Sequence, residues 1–202
     1  MKYFKLYVII LLSVFLISCK SSQIIDSSDE KIITMKSYTT DAVIKVHGNK
    51  SSTIYRVKQT LKSPSSIKVE TIEPKELSGK KTIFKDGEYI THHPIIGKTV
   101  KFNNIDKVNE NICTGIIRKE FFESKDLKKS TVSKNNKNCI EYKASLKTPS
   151  DNRSYGKLYV DEKSFIPILF EIYDKEDKVI VEINYSNFKY NPTIDDKEFI
   201  LN

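Results

Sequence analysis

Cys19 is the residue of this chain most suited to covalent chemistry, because the residues before it have the pattern of a secretory signal. Lys2 and Lys5 precede an apolar run over residues 6–17, and Leu16-Ile17-Ser18-Cys19 places a small residue directly before the cysteine. The run is shorter than the ~20 residues of a membrane-spanning helix, which indicates a signal peptide ending in a lipobox. We therefore expect residues 1–18 to be a lipoprotein signal peptide and the Cys19 thiol to carry a diacylglycerol.

The alternative is an uncleaved N-terminal helix anchor in which Cys19 is incidental. Both interpretations tether the body of the protein to a membrane, on its extracytoplasmic face, and export excludes nucleic acid as a natural partner. The formal net charge of +8 falls to +6 without Lys2 and Lys5 of the leader, and it suits a surface near anionic lipid or cell-wall polymer. The densest basic cluster, residues 125–137, is expected to be a loop.

Two further cysteines, Cys113 and Cys139, could pair in an exported protein. Two cysteines are a weak signal, and Cys113 falls in a segment whose spacing favours a helix. A disulfide and two buried free thiols both remain open.

The histidines and acidic pairs do not form a recognisable catalytic motif. His92 and His93 are adjacent, so on a strand they would point to opposite faces and could not chelate one metal together. A metal site would need a turn at this pair, which Pro94 could permit, but a solvated pair in a loop is the expectation. For His47 the sequence indicates only the outer face of a strand. Two acidic pairs, Glu73 with Glu76 and Asp195 with Asp196, are interpreted as turn and surface charge. Gly-x-Ser-x-Gly, His-Glu-x-x-His and phosphate-binding glycine-rich patterns are absent from the sequence, so we expect no enzyme activity, cofactor or metal.

The chain of 202 residues has the size of one domain once the leader is set aside. Residues 19–32 are expected to be the lipidated cysteine and a flexible tether, because Ser21–Glu30 is polar and serine-rich. Residues 33–202 are expected to form a single β-rich domain.

Alternating apolar residues predict a series of antiparallel strands in that domain. Asp86-Gly87 supplies the positive φ angles of a tight hairpin between two of them. The predicted strands begin at Tyr38 and Cys139 and otherwise cover Ile54–Leu61, Ile67–Ile72, Ile83–Lys85, Glu88–Ile90, Tyr155–Val160, Ile168–Tyr173 and Val179–Tyr185.

Between Asn109 and Lys129 the apolar spacing changes to three and four, which predicts the main helix. Its apolar stripe would include Ile112, Cys113, Ile116, Ile117 and Phe121. A long one-sided sheet must cover its apolar face. The expected fold is therefore mainly β (α+β), a curved antiparallel sheet or half-open β-barrel with one or more helices packed on the concave face.

The order of several short segments resembles the LolA-like lipoprotein-carrier superfamily, and most closely its spore-germination lipoproteins of the GerS type. The likeness covers residues 33–201. The segments that carry it are Ser63–Glu70, Lys85–Ile90, Tyr155–Asp161 with Ile166-Pro167, Tyr173–Asp177, and Asn187–Asp195 with Phe199.

This resemblance implies a half-open barrel and a noncatalytic partner role. GerS-type lipoproteins are understood to bind and activate the cell-wall amidase CwlD, for modification of the spore cortex, and to form a strand-swapped dimer. The resemblance therefore implies a CwlD-like exported amidase as partner, a homodimer by strand exchange, and a location on the cell or forespore membrane.

Two functions follow as hypotheses. The first is a protein-binding module whose exposed edge strand, either Val179–Tyr185 or the strand from Tyr38, pairs with a partner. The second is a lipid or lipoprotein carrier whose apolar barrel cavity is lined by inward side chains, although these are also suited to an ordinary core. They are Tyr55, Val57, Phe84, Leu158, Phe170 and Ile172.

Overall fold

The computed structural model describes residues 27–103 and 115–201. The leader, Cys19 and Cys113 therefore lie outside the described residues. The elements are α1 (Ser27–Ile33), β1 (Ser37–His47), β2 (Ser52–Lys62), β3 (Ser66–Glu73), β4 (Lys81–Lys85), β5 (Glu88–His93), β6 (Lys98–Asn103), α2 (Lys119–Phe122), β7 (Lys128–Lys134), β8 (Lys137–Ser150), β9 (Arg153–Asp161), β10 (Pro167–Tyr173) and β11 (Val179–Tyr190), with short 3-10 turns at Lys75–Leu77, Pro94–Ile96 and Asp196–Phe199.

The strands of the described residues form one 11-stranded sheet in the order β6-β5-β4-β3-β2-β1-β11-β10-β9-β8-β7. Every neighbouring pair is antiparallel. The sheet is curved and does not close on itself. The predicted fold class is confirmed, and the first and last strands of the chain meet at the middle of the sheet.

Two hairpin turns show why the strands reverse where they do. Asp86 and Gly87 have φ angles of 50° and 80°, and Asn135 and Asn136 have φ angles of 51° and 60°. Positive φ at both central residues is the type I′ geometry that matches the twist of the flanking strands, and Asn, Asp and Gly adopt it at low cost.

The inner face of the sheet, defined as the face on which α1 and α2 pack, holds the main core. Along β1 the residues alternate between buried and partly exposed, as the predicted period of two requires. Ala42 lies opposite Val57 on β2, and Ile44 lies opposite Ile183 on β11. The core also contains Ile32, Tyr38, Ile67, Val69, Ile116, Ile117, Phe122, Ile140, Tyr142, Leu158, Val160, Phe170, Ile172, Val181, Tyr185 and Phe188.

Helix α1 corrects the expected extent of the tether. Its first turn carries Asp29 and Glu30, which suit a helix N-terminus. Ile32 is buried in the inner-face core, and Asp29 accepts a hydrogen bond from the Tyr142 hydroxyl. The serine-rich composition concealed a short amphipathic helix, so residues from Ser27 onward belong to the folded body.

The main helix predicted over residues 109–129 is also wrong in its described part. Ile116 and Ile117 are buried, but residues 116–118 are not helical, and α2 has only four residues. Gly115 has a φ angle of 79°, a left-handed conformation that interrupts a right-handed helix. The spacing of three and four arose instead because an irregular segment packs its apolar side chains against the sheet.

The outer face carries a second, smaller cluster in which Cys139, Tyr159 and Leu169 are buried. Glu171 lies among them at 5% exposure. Lys134 Nζ is 2.8 Å from Glu171 Oε1, and the Tyr173 hydroxyl donates a hydrogen bond to Glu171 Oε2 at 2.6 Å. Burial acts to raise the pKa of the Glu171 carboxyl, but these two hydrogen bonds, the charge of Lys134 and a hydrogen bond from Tyr159 together outweigh it and hold the pKa below its usual value.

Candidate partner-binding edge

The described sheet has two terminal strands, β6 and β7, each of which pairs with a described strand on one side only. The other side of such a strand presents backbone N–H and C=O groups that can pair with an added strand. The strands predicted as edges, Val179–Tyr185 and the strand from Tyr38, are instead central. They pair with each other, as in Ala42 with Tyr185, so that prediction is wrong.

Strand β6 carries exposed apolar side chains on the inner face. Val100 lies opposite Thr91, and Phe102 lies opposite Tyr89. The Phe102 ring packs against the Tyr89 ring, with 5.9 Å between centroids. Val100 and Phe102 nevertheless keep 42% and 46% of their surface exposed, so their solvent-facing sides are available for contact.

The turn before β6 extends this apolar surface. Ile95 and Ile96 are each 59% exposed in the 3-10 turn that Pro94 opens and that Gly97 ends with a φ angle of 60°. A cluster of exposed apolar side chains beside an open strand edge is typical of an interaction site. We refer to Ile95, Ile96, Val100 and Phe102 as the apolar edge.

Polar contacts on the other face of β6 fix its position on β5. Lys101 Nζ lies 2.7 Å from Glu88 Oε2, and His92 Nδ1 lies 2.8 Å from Thr99 Oγ1. The ion pair is exposed and therefore contributes little to stability. These cross-strand contacts hold the register that keeps Val100 and Phe102 on the inner face.

The histidines belong to regular strands and not to a loop. His92 and His93 end β5 on opposite faces, and His47 Nε2 on β1 lies 2.6 Å from Glu182 Oε1. Within residues 27–103 and 115–201, no three His, Cys, Asp or Glu side chains come together in a way that could hold a metal ion.

Three residues of the two acidic pairs, Glu73, Asp195 and Asp196, have structural partners. Arg56 Nε donates to Glu73 Oε2 at 2.8 Å, and Lys62 Nζ lies 2.6 Å from Asp196 Oδ1. Asp195 caps the last 3-10 turn by accepting from the Lys197 backbone N–H.

Cys139 is buried and forms no disulfide within the described part of the chain, and burial raises the pKa of its thiol above the ordinary value. Its predicted partner Cys113 lies outside the described residues, so the disulfide stays a prediction. Cys19, the predicted lipidation site, lies outside them as well. None of the helices in the described ranges has the length and apolar character needed to cross a bilayer.

The side chains expected to line a lipid cavity pack into the core. Val57, Leu158, Phe170 and Ile172 are buried in the inner-face cluster, and Tyr55 and Phe84 pack against it. A close-packed set of side chains leaves no volume among its members for an acyl chain.

Sequence reasoning missed the apolar edge. Val100 and Phe102 alternate with Thr99, Lys101 and Asn103, which is the period of a strand. The stretch is short and contains two lysines, so it did not stand out beside longer strands. These lysines are themselves typical of edge strands, in which they oppose uncontrolled pairing.

Comparison with known proteins gives a family and several related structures. The model of the sporulation protein YdcC-like family matches residues 2–199. No curated protein matches the sequence. The chain is similar to a structure of the CwlD amidase from Clostridioides difficile in complex with the GerS lipoprotein, at 25% identity and a TM-score of 0.55, over 80% of this chain and 91% of the matched chain.

Two further structures are similar to the chain at lower identity. An uncharacterized conserved protein from Thermus thermophilus has a TM-score of 0.57 at 14% identity, over 89% of this chain and 93% of that one, and supports the fold alone. The LolA superfamily protein NE2245 from Nitrosomonas europaea has a TM-score of 0.47 at 15% identity, over 86% and 94%. The resemblance inferred from the sequence is confirmed by the family match and the GerS complex, and the chain belongs to the sporulation protein YdcC-like family.

Proposed function

We propose that this protein is a membrane-anchored, noncatalytic lipoprotein that binds an exported cell-wall amidase through the apolar edge. The observation that carries the proposal is the likeness to the complex of the CwlD amidase with the GerS lipoprotein. The open strand β6, with its exposed Val100 and Phe102, supplies the surface that such a contact needs.

Anchoring follows from the N-terminal sequence. A lipidated Cys19 would hold the body at the extracytoplasmic face of the cell or forespore membrane, where cell-wall amidases act. Membership of a sporulation protein family supports a role during spore formation.

A binding role is favoured over catalysis by what the candidate catalytic side chains do. His47 bonds to Glu182, Glu73 bonds to Arg56, and Asp196 bonds to Lys62. Each of these side chains has a partner that explains its position in the fold.

The apolar edge can supply useful binding energy. Full burial of a large apolar side chain is worth about 1.5–3 kcal/mol, so covering the exposed half of four such side chains contributes roughly 3–6 kcal/mol. Strand addition would add backbone hydrogen bonds along β6. Part of this gain is offset by the cost of association.

The test measures the affinity of the full-length, lipidated protein for the exported amidase of the same organism. The double variant Val100→Asp/Phe102→Asp should weaken binding by at least about 30-fold, because two charges replace apolar contacts. The matched control is Ile54→Asp, which alters an equally exposed side chain at 52% exposure on the central strand β2. It should change the affinity less than about threefold.

Equal effects of the two variants, or none from the first, would refute the edge as the amidase contact. If the double variant abolishes self-association and leaves amidase binding intact, the edge serves a second copy of the chain. Acyl lipid recovered from the purified protein by solvent extraction and mass spectrometry would favour the lipid carrier instead.

A further inference from the structure

The N-terminal end of α1 lies at the β7 edge of the sheet. Asp29 Oδ2 is 2.9 Å from Lys129 Nζ on β7, and Asp29 Oδ1 accepts from the Tyr142 hydroxyl on β8. The segment that joins Cys19 to the folded body therefore enters the body beside β7. Residues 20–26 can span at most about 25 Å when fully extended, so a lipid on Cys19 would keep this edge close to the bilayer.

Strand β7 and its flanks hold the densest positive charge of the described body. Residues 125–137 contain five lysines and one acidic residue, Asp126. This segment was expected to be a loop, but residues 128–134 form the edge strand, so the lysines occupy fixed positions along one rim of the sheet.

Two pairs of lysines face each other across the β7–β8 ladder. Lys128 lies opposite Lys143, and Lys134 lies opposite Lys137. Like charges directly opposite one another in a ladder are destabilising. One lysine of each pair has a partner within the fold, and an anionic surface at this rim would offset the repulsion that is left.

Some of these lysines have partners within the fold. Lys134 pairs with Glu171, Lys129 pairs with Asp29, and Lys143 Nζ lies 4.1 Å from the centroid of the Tyr155 ring. The nearby acids also have partners, since Asp126 accepts from Ser145 and Asp161 from Ser164.

Three lysines form no ion pair with a carboxylate among the described side chains. Lys125, Lys128 and Lys137 are all exposed. Lys128 begins β7, Lys137 begins β8 and Lys125 lies just before β7, so all three belong to the edge of the sheet that α1 contacts through Lys129. They are the charges available to an external anion.

We propose that the β7 edge, through Lys125, Lys128 and Lys137, rests on an anionic lipid surface and orients the domain. The proposal depends on the lipid anchor of the proposed function. Each lysine held near an anionic bilayer strengthens the association by roughly fivefold. The effect requires contact within about 8 Å at physiological salt, and a tether with a reach of about 25 Å allows the edge to come that close. The apolar edge on β6, at the other end of the sheet, is then left accessible to a partner.

The test uses the lipidated full chain on vesicles of phosphatidylcholine alone and on vesicles with about a third phosphatidylglycerol. Hydrogen exchange is measured by mass spectrometry. On the phosphatidylglycerol vesicles, amides of residues 128–134 should exchange at least several-fold more slowly than on phosphatidylcholine. High salt should remove the difference.

The variant Lys125→Glu/Lys128→Glu/Lys137→Glu should lose this protection and still float with both kinds of vesicle. The matched control, Lys75→Glu/Lys81→Glu/Lys98→Glu, changes three exposed lysines in the other half of the protein. It should keep the slower exchange on phosphatidylglycerol vesicles. Equal exchange on the two vesicles, or protection that survives in the first variant, would overturn the proposal. So would protection given by soluble teichoic acid and not by phosphatidylglycerol vesicles, because the edge would then bind wall polymer.

Failure of the wild-type chain to float with either vesicle would have a different meaning. It would refute the lipid anchor itself, and the proposed orientation would fall with it. The amidase affinity measured with the apolar-edge variants is independent of this outcome, so the two failures can be distinguished.

Discussion

Replacement of Gly156 by alanine should destabilise the protein through one identifiable clash. Gly156 lies on β9 opposite Ile172 on β10, and the Phe170 ring lies over its backbone on the inner face. A Cβ at this position would be 2.7 Å from both Cε2 and Cζ of Phe170, and 3.3 Å from Cε2 of Phe121. Because normal carbon contacts are about 3.5–4.0 Å, the Phe170 ring must move by roughly 1 Å.

The expected cost has three parts. Overpacking of this kind costs about 1–3 kcal/mol. The displaced ring also weakens its edge-to-face contact with Phe121, whose centroid is 5.4 Å away and which is worth about 0.5–1.5 kcal/mol. Replacing glycine also lowers the conformational entropy of the unfolded chain, which stabilises the folded protein by about 0.4–1 kcal/mol. The net destabilisation is about 2 kcal/mol, which corresponds to a fall in Tm of roughly 4–8 °C.

Urea unfolding of the full-length protein and a thermal melt would measure this change. Phe170→Leu provides the control, since a smaller side chain leaves room for the new methyl group. The double variant Gly156→Ala/Phe170→Leu should be at least about 1 kcal/mol more stable than the sum of the single effects predicts. A change below about 0.5 kcal/mol for Gly156→Ala, or strict additivity in the double variant, would refute the clash.

Three other predictions concern the hairpin, the outer face and the anchor. Gly87→Val should destabilise the Asp86-Gly87 hairpin by about 1–2 kcal/mol because a β-branched residue resists the φ angle of 80°. Gly87→Asn should cost less. Equal melting temperatures for the wild type and Gly87→Val would contradict the turn geometry. Since the folded pKa of Glu171 is lowered, its contribution to stability is present above the ordinary pKa of glutamate and is lost as the pH falls through the folded pKa. Glu171→Gln should therefore lower stability at pH 7 more than at pH 3, measured by urea unfolding at both values, and an equal loss at both would show that the ion pair with Lys134 is not responsible. Cys19→Ala should remove the lipid that holds the protein on the membrane. Cell fractionation and labelling with a radioactive fatty acid would measure this loss. Unchanged labelling would show that the lipid is attached to another residue.

The central strands could be predicted from the sequence because each has one buried face. In β1, Tyr38, Thr40, Ala42 and Ile44 alternate with more exposed neighbours, and this period is visible without any knowledge of the partner strand. The Asp86-Gly87 turn could be predicted for the same reason, since its requirement for positive φ is local.

The terminal strands and short helices were not predicted because their signals are weak or misleading. Strand β7, Lys-Lys-Ser-Thr-Val-Ser-Lys, has one apolar residue, since an edge strand at the rim has little surface to bury. Gly115 marked the interruption of the predicted helix and was overlooked. The serines before Ile32 favoured a flexible tether, so helix α1 was not predicted.

The candidate site depended on information that periodicity does not contain. Alternation identifies a strand but not its neighbours, so β1 and β11 could not be recognised as a central pair from sequences more than 130 residues apart. The apolar edge became visible only when the strand order placed β6 at the end of the sheet. Conversely, a lipobox is a local motif, which is why one ending at Cys19 could be proposed from the sequence alone.

Under the export that we propose, the pairing of β1 with β11 has a consequence for the timing of secretion. An exported chain crosses the membrane as an unfolded thread, N-terminus first, and strand β1 reaches the outside long before residues 179–190 do. Until they arrive, β1 has no partner on one side, and the loop to be closed spans most of the polypeptide, which slows folding. The nascent protein therefore spends this interval with a long unpaired strand exposed at the translocation exit, where a folding factor or premature association would act on it.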